Sequence, residues 1–345
     1  MSKFFSGWDW QPPAEWLKIE TLEMHTGGEP LRVYLAGLPD IPGNTILDKR
    51  AYFKNRFDHI RTGTMWEPRG HADMYGAILT EPTTPDADFG VFFLHNEGYS
   101  TMCGHAIIAL TKMAYETGLV PKNKPELIIN APPGKIFARP HHQGDKIENV
   151  SFINVPSFAL LKNQTIDIEG IGRVNFDVAF GGAFYAFVNA EKVGLKLTEP
   201  EADRCIDYGQ RIKLAVMNEF EIIHPFEKDL SFLYGTIFIG PANNPANHSR
   251  NVCIFANGEL DRSATGSGIS ARAALHYSRD EIKKDQVITI ESILGTTMNV
   301  TVRKQVSFGP YNAVIPEISG TAHITGRNTF YFDPEDPLNK GFILR

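Results

Sequence analysis

The sequence predicts an α/β (α+β) fold assembled from two similar modules. Two echoes lead there. The stretch Ser100-Thr-Met-Cys-Gly-His-Ala-Ile-Ile-Ala-Leu110 is mirrored by Asp261-Arg-Ser-Ala-Thr-Gly-Ser-Gly-Ile-Ser-Ala-Arg272, with Thr265-Gly266-Ser267 falling on Cys103-Gly104-His105. A strand–Gly-Gly–strand pattern over residues 17–36 recurs over residues 174–188. Around both echoes run short apolar strands punctuated by Gly and Pro turns.

The helical reading of the first stretch rests on Ile107, Ile108, Leu110, Met113, Ala114 and Leu119, which fit a period of 3.6 better than a period of 2. Gly118 is placed to end the helix, and Pro121 follows. Cys103 therefore stands at a helix N-terminus, where free N–H groups and the positive end of the dipole favour a thiolate. In the second stretch Ile269, Ala273, Ala274 and Tyr277 mark the matching helix. Two such N-termini facing each other would hold one small anionic ligand.

The remaining elements follow in chain order. Trp8 to Trp16 reads as an irregular extension, Leu17–Glu23 and Leu31–Ala36 as a hairpin around His25-Thr-Gly-Gly-Glu-Pro30, and Asp48–Arg61 as a charged surface helix. Gly76–Leu79, Phe89–Leu94, Leu127–Asn130, Ile136–Arg139 and Val150–Val155 read as strands. A second half begins near residue 160, with strands Val174–Phe180 and Ala183–Val188 and an amphipathic helix within 200–220. Strands Leu233–Ile239, Val252–Phe255, Val287–Glu291, Met298–Val302, Ile318–Ile324 and Phe330–Phe332 complete the chain.

Composition narrows the function. The 345 residues suffice for two domains or one large one, and 42% hydrophobic with 21% charged residues describe an ordinary globular protein. A net charge of −6 from 34 basic and 40 acidic residues argues against nucleic acid or an anionic membrane as partner. The sequence Met1-Ser-Lys-Phe-Phe-Ser-Gly-Trp-Asp-Trp lacks the apolar core of a signal peptide, and no apolar run approaches the ~18–20 residues that span a bilayer. Cys103, Cys205 and Cys253 are too few for a disulfide framework, so a reducing cytoplasm is expected, which suits a working thiol.

Three alternatives carry less weight. His71 and Asp73 sit in a polar turn, and His141-His142 in a polar loop, without the spacing of a metal site. Gly266-Ser-Gly-Ile-Ser-Ala271 matches a dinucleotide fingerprint, but ten residues separate it from the preceding strand end at Phe255.

Several motifs together resemble the proline racemase family. They are His25-Thr-Gly-Gly-Glu-Pro30, Glu67-Pro-Arg-Gly-His-Ala-Asp73, Asn96-Glu-Gly-Tyr-Ser-Thr-Met-Cys-Gly-His105, Gly181-Gly-Ala-Phe-Tyr-Ala186, His248-Ser-Arg-Asn251, Asp261-Arg-Ser263 and Gly295-Thr296. The resemblance covers nearly the whole chain. It implies a diaminopimelate epimerase-like fold: two pseudo-symmetric halves, each a mixed sheet around a central helix, with the active site between them. The halves would be residues 1–160 plus 325–345, carrying Cys103, and residues 161–324, carrying Asp261 and Thr265.

Thr265 is where the chain departs from the racemases, which have a second cysteine at that position. Inverting Cα needs a base on one face and an acid on the other. A thiol with a pKa near ~8.5 serves either role, whereas a threonine hydroxyl has no accessible anion near neutral pH. The one-cysteine, one-threonine arrangement resembles the trans-3-hydroxy-L-proline dehydratase branch of the family. In that substrate the hydroxyl and the α-hydrogen lie on one face, so a single group can take the proton and then protonate the departing hydroxyl. The resemblance implies no metal, pyridoxal phosphate or nucleotide. It assigns Cys103 as proton acceptor, Thr265 as a polar, non-titrating lining group and Asp261 as partner of the ring ammonium. Gly104, His105, Gly266 and Ser267 would hold the substrate carboxylate or hydroxyl. His224 and His248 are lesser candidates. A racemase or epimerase with an unforeseen second base, and an inactive binding homologue with an inert Cys103, are the competing readings. A homodimer is common in such folds.

Overall fold

The computed structural model describes residues 10–344, so the irregular extension expected over Trp8 to Trp16 lies partly outside the described residues. Strands β1 (Leu17–Thr26) and β2 (Glu29–Ala36) form a hairpin around Gly27-Gly28. Helix α1 (Ile46–Met65) crosses to β3 (Tyr75–Thr80), parallel to β2, and β4 (Phe89–His95) returns antiparallel. A short β5 (Gly98–Ser100) folds back on β4. Helix α2 (Gly104–Glu116) then crosses to β6 (Leu127–Ala131), parallel to β4, and β7 (Gly134–Gln143) and β8 (Lys146–Ile153) follow antiparallel.

After β9 (Ser157–Ile168) the same order of pairings is repeated. Strands β10 (Gly172–Phe180) and β11 (Phe184–Asn189) are antiparallel, α3 (Ala202–Glu219) crosses to β12 (Leu233–Gly240), and β12 lies parallel to β11. Strands β13 (Ser249–Phe255) and β14 (Glu259–Asp261) pair antiparallel, as do β12 and β13. Helix α4 (Gly266–Tyr277) crosses to β15 (Val287–Glu291), parallel to β13, before the antiparallel β16 (Thr297–Phe308) and β17 (Tyr311–Gly320). The second set closes on itself through β9, which pairs with both β10 and β17. The first is completed by β18 (Ala322–Phe332), which lies antiparallel along β1, while the end of β17 pairs with β8.

Among the described residues the 18 strands form one continuous sheet that wraps two helices buried on nearly every side. In α2 the run from Gly104 to Thr111 is buried throughout, and in α4 the run from Gly266 to Leu275. A helix without a polar face is stable only inside a core. Gly118, at φ 76°, stops α2 in a left-handed turn that residues with a Cβ resist. Helix α3 is amphipathic instead: Cys205, Gly209, Ile212 and Val216 form its buried face, against β12 and β13. Helix α1 starts from a capping box between Thr45 and Asp48 and buries Phe53 and Ile60 in a second, smaller core with Ile78, Phe92 and Leu94.

Three expectations change. Leu119 falls beyond the end of α2 and is exposed, because the helix ends at Glu116. The charged segment 48–61 is a helix, but one face is buried: Arg61 reaches in to the His95 backbone carbonyl at 3.1 Å. The single strand expected over 318–324 is broken at Thr321, where the chain leaves β8 and joins β1. Among the described residues, no helix is long and apolar enough to cross a membrane.

Candidate active site

Two glycines meet closely at the centre of the molecule. A Cβ built on Gly104 would lie 2.6 Å from the Gly266 Cα, and one built on Gly266 would lie 2.7 Å from the Gly104 Cα. The N-terminal tips of α2 and α4 therefore abut, backbone to backbone. The N–H groups of each first turn have no partner within their own helix, so the paired tips present donors to one spot.

Each tip is delivered by a buried strand. Strand β4 runs through β5 and Met102 to Cys103, the N-cap of α2, in extended backbone (φ −143°, ψ 101°). Its Sγ accepts the Ala106 N–H at 3.3 Å. On the other side β13 and β14 lead to Asp261, whose Oδ1 accepts the Ser263 N–H at 2.7 Å. The Ser263 Oγ in turn accepts the Thr265 N–H at 3.1 Å. These turns force Thr265 into left-handed backbone (φ 65°, ψ 89°), an outlier for a β-branched residue and a conformation that costs about 1–3 kcal/mol. The two N-caps differ in use. The Cys103 side chain caps its helix; the Thr265 hydroxyl does not, and although buried it has no hydrogen-bond partner among the described residues.

A cavity of about 290 Å³ opens beside the tips. It brings together Cys103, Gly104 and His105 with Asp261, Thr265, Gly266 and Ser267. Aromatic side chains wall it: Tyr75, Tyr185, Tyr234 and Phe255. The Tyr185 hydroxyl and Ser267 Oγ are 2.7 Å apart, and the Tyr75 hydroxyl bonds the Ser100 hydroxyl. No motif in the sequence marked these rings, although Tyr185 stands inside the Gly181–Ala186 stretch. Cys253 was also missed. It lines the same cavity, and the Thr265 hydroxyl stands close enough to pull its thiol down against the larger upward push of burial.

The helix tip is one of several influences on the Cys103 thiol. Burial pushes the Cys103 thiol well up, and Asp261 and Glu29 add to that; the Ala106 N–H and the Tyr75 hydroxyl oppose it. The helix tip alone does not make a resting thiolate, because desolvation outweighs it. His105 moves the other way. Burial lowers its ring, while Asp261 and the Pro30 carbonyl raise it. Its Nδ1 lies 3.1 Å from the Cys103 Sγ, and its backbone carbonyl accepts the Thr26 hydroxyl at 2.8 Å.

Glu29 is fully buried behind this site. Its Oε2 accepts the Arg262 N–H at 2.7 Å, and Oε1 has no partner. Burial and then Asp261 push its carboxyl well above the ordinary value. Between about pH 4.5 and the native value the unfolded chain has lost this proton and the folded chain keeps it. Folding stability therefore falls as pH rises, by about 1.4 kcal/mol per pH unit across that window. Urea unfolding of wild type and Glu29→Gln at pH 5, 6 and 7 should show the flatter dependence in the variant; parallel curves would refute the assignment.

The other singled-out residues lie elsewhere. His248 Nδ1 is 2.8 Å from Ser249 Oγ. His224 sits in an apolar groove of about 1160 Å³, where its Nδ1 accepts the Glu227 N–H at 2.9 Å and burial lowers it to about 4. That groove is larger than the central cavity, but there the His224 ring nitrogen is taken up by backbone N–H groups of its own loop, so His224 is a loop tie. His71 is exposed, and Asp73 pairs with Arg262 at 2.9 Å. Glu291, which ends the strand after the fingerprint-like stretch, binds Arg250 at 2.9 Å and the Asn243 and Asn244 N–H groups, so it braces a loop where a nucleotide site would need it for ribose.

Comparison with known proteins decides the lineage. The family model described as proline racemase matches residues 21–343. The chain belongs to the proline racemase family. Among its relatives is a trans-3-hydroxy-L-proline dehydratase of Colwellia psychrerythraea, 50% identical over 341 residues, covering 97% of this chain and 96% of the relative. A 3-hydroxyproline 2-epimerase of Burkholderia multivorans is 43% identical over 329 residues, covering 95% and 98%. A hydroxyproline epimerase of Agrobacterium vitis, solved with bound trans-4-hydroxy-L-proline, superposes with a TM-score of 0.90 at 27% identity, covering 95% of this chain and 96% of that one. The mixed α/β fold is thus that of the proline racemase family.

Proposed function

We propose that the protein dehydrates trans-3-hydroxy-L-proline to pyrroline-2-carboxylate, using its own acid/base groups. The observation that carries this is the unequal pair of helix tips: a thiol at Cys103 faces a hydroxyl at Thr265 across touching glycines. Cys103 takes the α-hydrogen. The N–H groups of Gly104 and His105 on one tip, and of Gly266 and Ser267 on the other, hold the carboxylate and stabilise the charge that develops beside it. Asp261 holds the ring ammonium. The Thr265 hydroxyl, without a hydrogen-bond partner among the described residues, takes one on the substrate. The C2–H and C3–O bonds break on the same face, and the resulting enamine tautomerises to the imine.

The repeated strand order supports the architecture in which this happens. Residues 1–160 with 325–345, and residues 161–324, form two pseudo-symmetric halves of the diaminopimelate epimerase kind, each around its own helix, and the substrate sits where the helices meet.

A second reading, 2-epimerisation, is favoured by Cys253, which stands beside Thr265 and carries a proton on that side of the cavity. One experiment separates the two. The purified protein is incubated with trans-3-hydroxy-L-proline, the cyclic imine is followed by its coloured adduct with o-aminobenzaldehyde, and residual amino acid is resolved by chiral chromatography. Imine formation without inversion is expected; inversion without imine would reject the dehydratase reading. Thr265→Cys should then gain weak inversion of trans-4-hydroxy-L-proline, which lacks a 3-hydroxyl, and keep part of its dehydration. A Thr265→Cys protein with no inversion at all would mean that position 265 does not reach the far face of Cα.

A further inference from the structure

One group beside Cys103 is placed to supply the proton that the leaving hydroxyl needs. His105 is 4% exposed, lines the cavity, and places Nδ1 3.1 Å and Nε2 3.6 Å from the Cys103 Sγ. Its ring is held from several sides. Tyr75 meets it edge-on at 4.9 Å between centroids, and the Pro30 carbonyl faces it. Asp261 supplies negative charge across the cavity, so an imidazolium formed here has a counterion in place. A buried thiol touching a buried, fixed imidazole has one nearby acceptor for its proton.

We infer that His105 is the general acid of the elimination: it takes the Cys103 proton when substrate binds and hands it to the departing 3-hydroxyl. This rests on the dehydratase reading above and adds a residue and a route to it. At rest Cys103 is a thiol and His105 a neutral imidazole. The Sγ–H bond breaks and an N–H bond forms, giving thiolate and imidazolium. The thiolate then takes the α-hydrogen, forming Sγ–H, and the C2–H electron pair becomes the C2=C3 bond. The C3–O bond breaks with its electrons on oxygen, and the imidazolium proton completes a water molecule. Thiol and neutral imidazole are restored, so no outside acid, base or oxidant is used. Two groups on one face share the work that a single thiol would otherwise do in sequence. At rest the two displacements keep Cys103 a thiol and His105 a neutral imidazole, because burial disfavours each charged form.

The test separates the two roles by changing the leaving group. Fluoride leaves with far less need of a proton, so trans-3-fluoro-L-proline requires only that Cys103 be deprotonated. For His105→Gln, loss of water from trans-3-hydroxy-L-proline is compared with fluoride release measured at an electrode. Both rates fall, because the thiol has lost its acceptor. Dehydration should fall by at least a further ~10-fold, within the ~10²–10⁴ that a positioned acid supplies. His105→Asn serves as a second variant, with circular dichroism and thermal unfolding confirming that each is folded. Equal losses on the two substrates would overturn the inference while leaving the dehydratase reading intact. Failure of the wild-type protein to dehydrate would instead remove the dehydratase reading.

Discussion

Cys103→Ser is expected to lower turnover of trans-3-hydroxy-L-proline by about two to three orders of magnitude or more, in line with the loss of a positioned acid/base group. The substitution isolates chemistry from folding. Serine is a better N-cap than cysteine, and its oxygen can accept the Ala106 N–H that the Sγ accepts at 3.3 Å. The fold should hold or gain slightly, while the hydroxyl has no anion to offer near neutral pH. Cys205→Ser provides the contrast: Cys205 is buried on α3 away from the cavity, and its variant should keep the wild-type rate if folded. The measurement is the initial rate of imine formation for the three proteins, alongside thermal unfolding. A folded Cys103→Ser protein with the wild-type rate would eliminate the thiol from the mechanism.

Gly104→Ala should be nearly as damaging, for a reason unrelated to acid/base chemistry. The added Cβ meets the Gly266 Cα at 2.6 Å, the Gly266 carbonyl carbon at 2.9 Å and the Ser267 nitrogen at 3.1 Å. All three are backbone atoms, so no side chain can rotate away. Relief requires the helix tips to separate by a sizeable fraction of an ångström, inside cores that resist it. Overpacking of this kind costs about 1–3 kcal/mol. A displacement of about 1 Å at the reacting groups costs on the order of 10² in rate. Gly326→Ala is the control, because a Cβ there meets nothing within 4 Å. Comparable rates and unfolding temperatures for the two alanine variants would show that the tips are not in rigid contact.

Much of the site was legible because it is built from local sequence. Cys103, Gly104 and His105, like Thr265, Gly266 and Ser267, are consecutive residues at helix starts, and helix starts have strong local signals. Asp261 was found through the same stretch. Tyr75, Tyr234, Phe255 and Cys253 were not, since they come from strands whose buried residues alternate no differently from any core strand. Their role depends on which strand lies beside which, and that is set by pairing across long stretches of chain. The ionisation of Cys103 was not legible in the sequence for a related reason. The helix tip is visible in sequence, but the desolvation that outweighs it arises from the tertiary enclosure of the cavity. Within the fold, β9 went unread because its first part, Leu160 to Asn163, does not alternate, and the break at Thr321 carries neither Gly-Pro nor a charge run to mark it.

The partnership of β1 with β18 has a consequence for how the chain is made. Leu17 pairs with Phe332 and Thr26 with Ala322, so β1 is made about 300 residues before the strand it pairs with. During synthesis β1 has β2 on one side and an open row of N–H and C=O groups on the other. Such an edge is a template for wrong pairings until its partner arrives. The sheet that closes through β9 and β17 has no such debt to the far end of the chain beyond residue 320. The sequence separation across the β1–β18 seam places its closure among the slow, non-local events of folding. A chain truncated before residue 322 would emerge with the Cys103 helix formed but its surrounding wall unsealed, and its fate would be decided by chaperones and proteases before catalysis became possible.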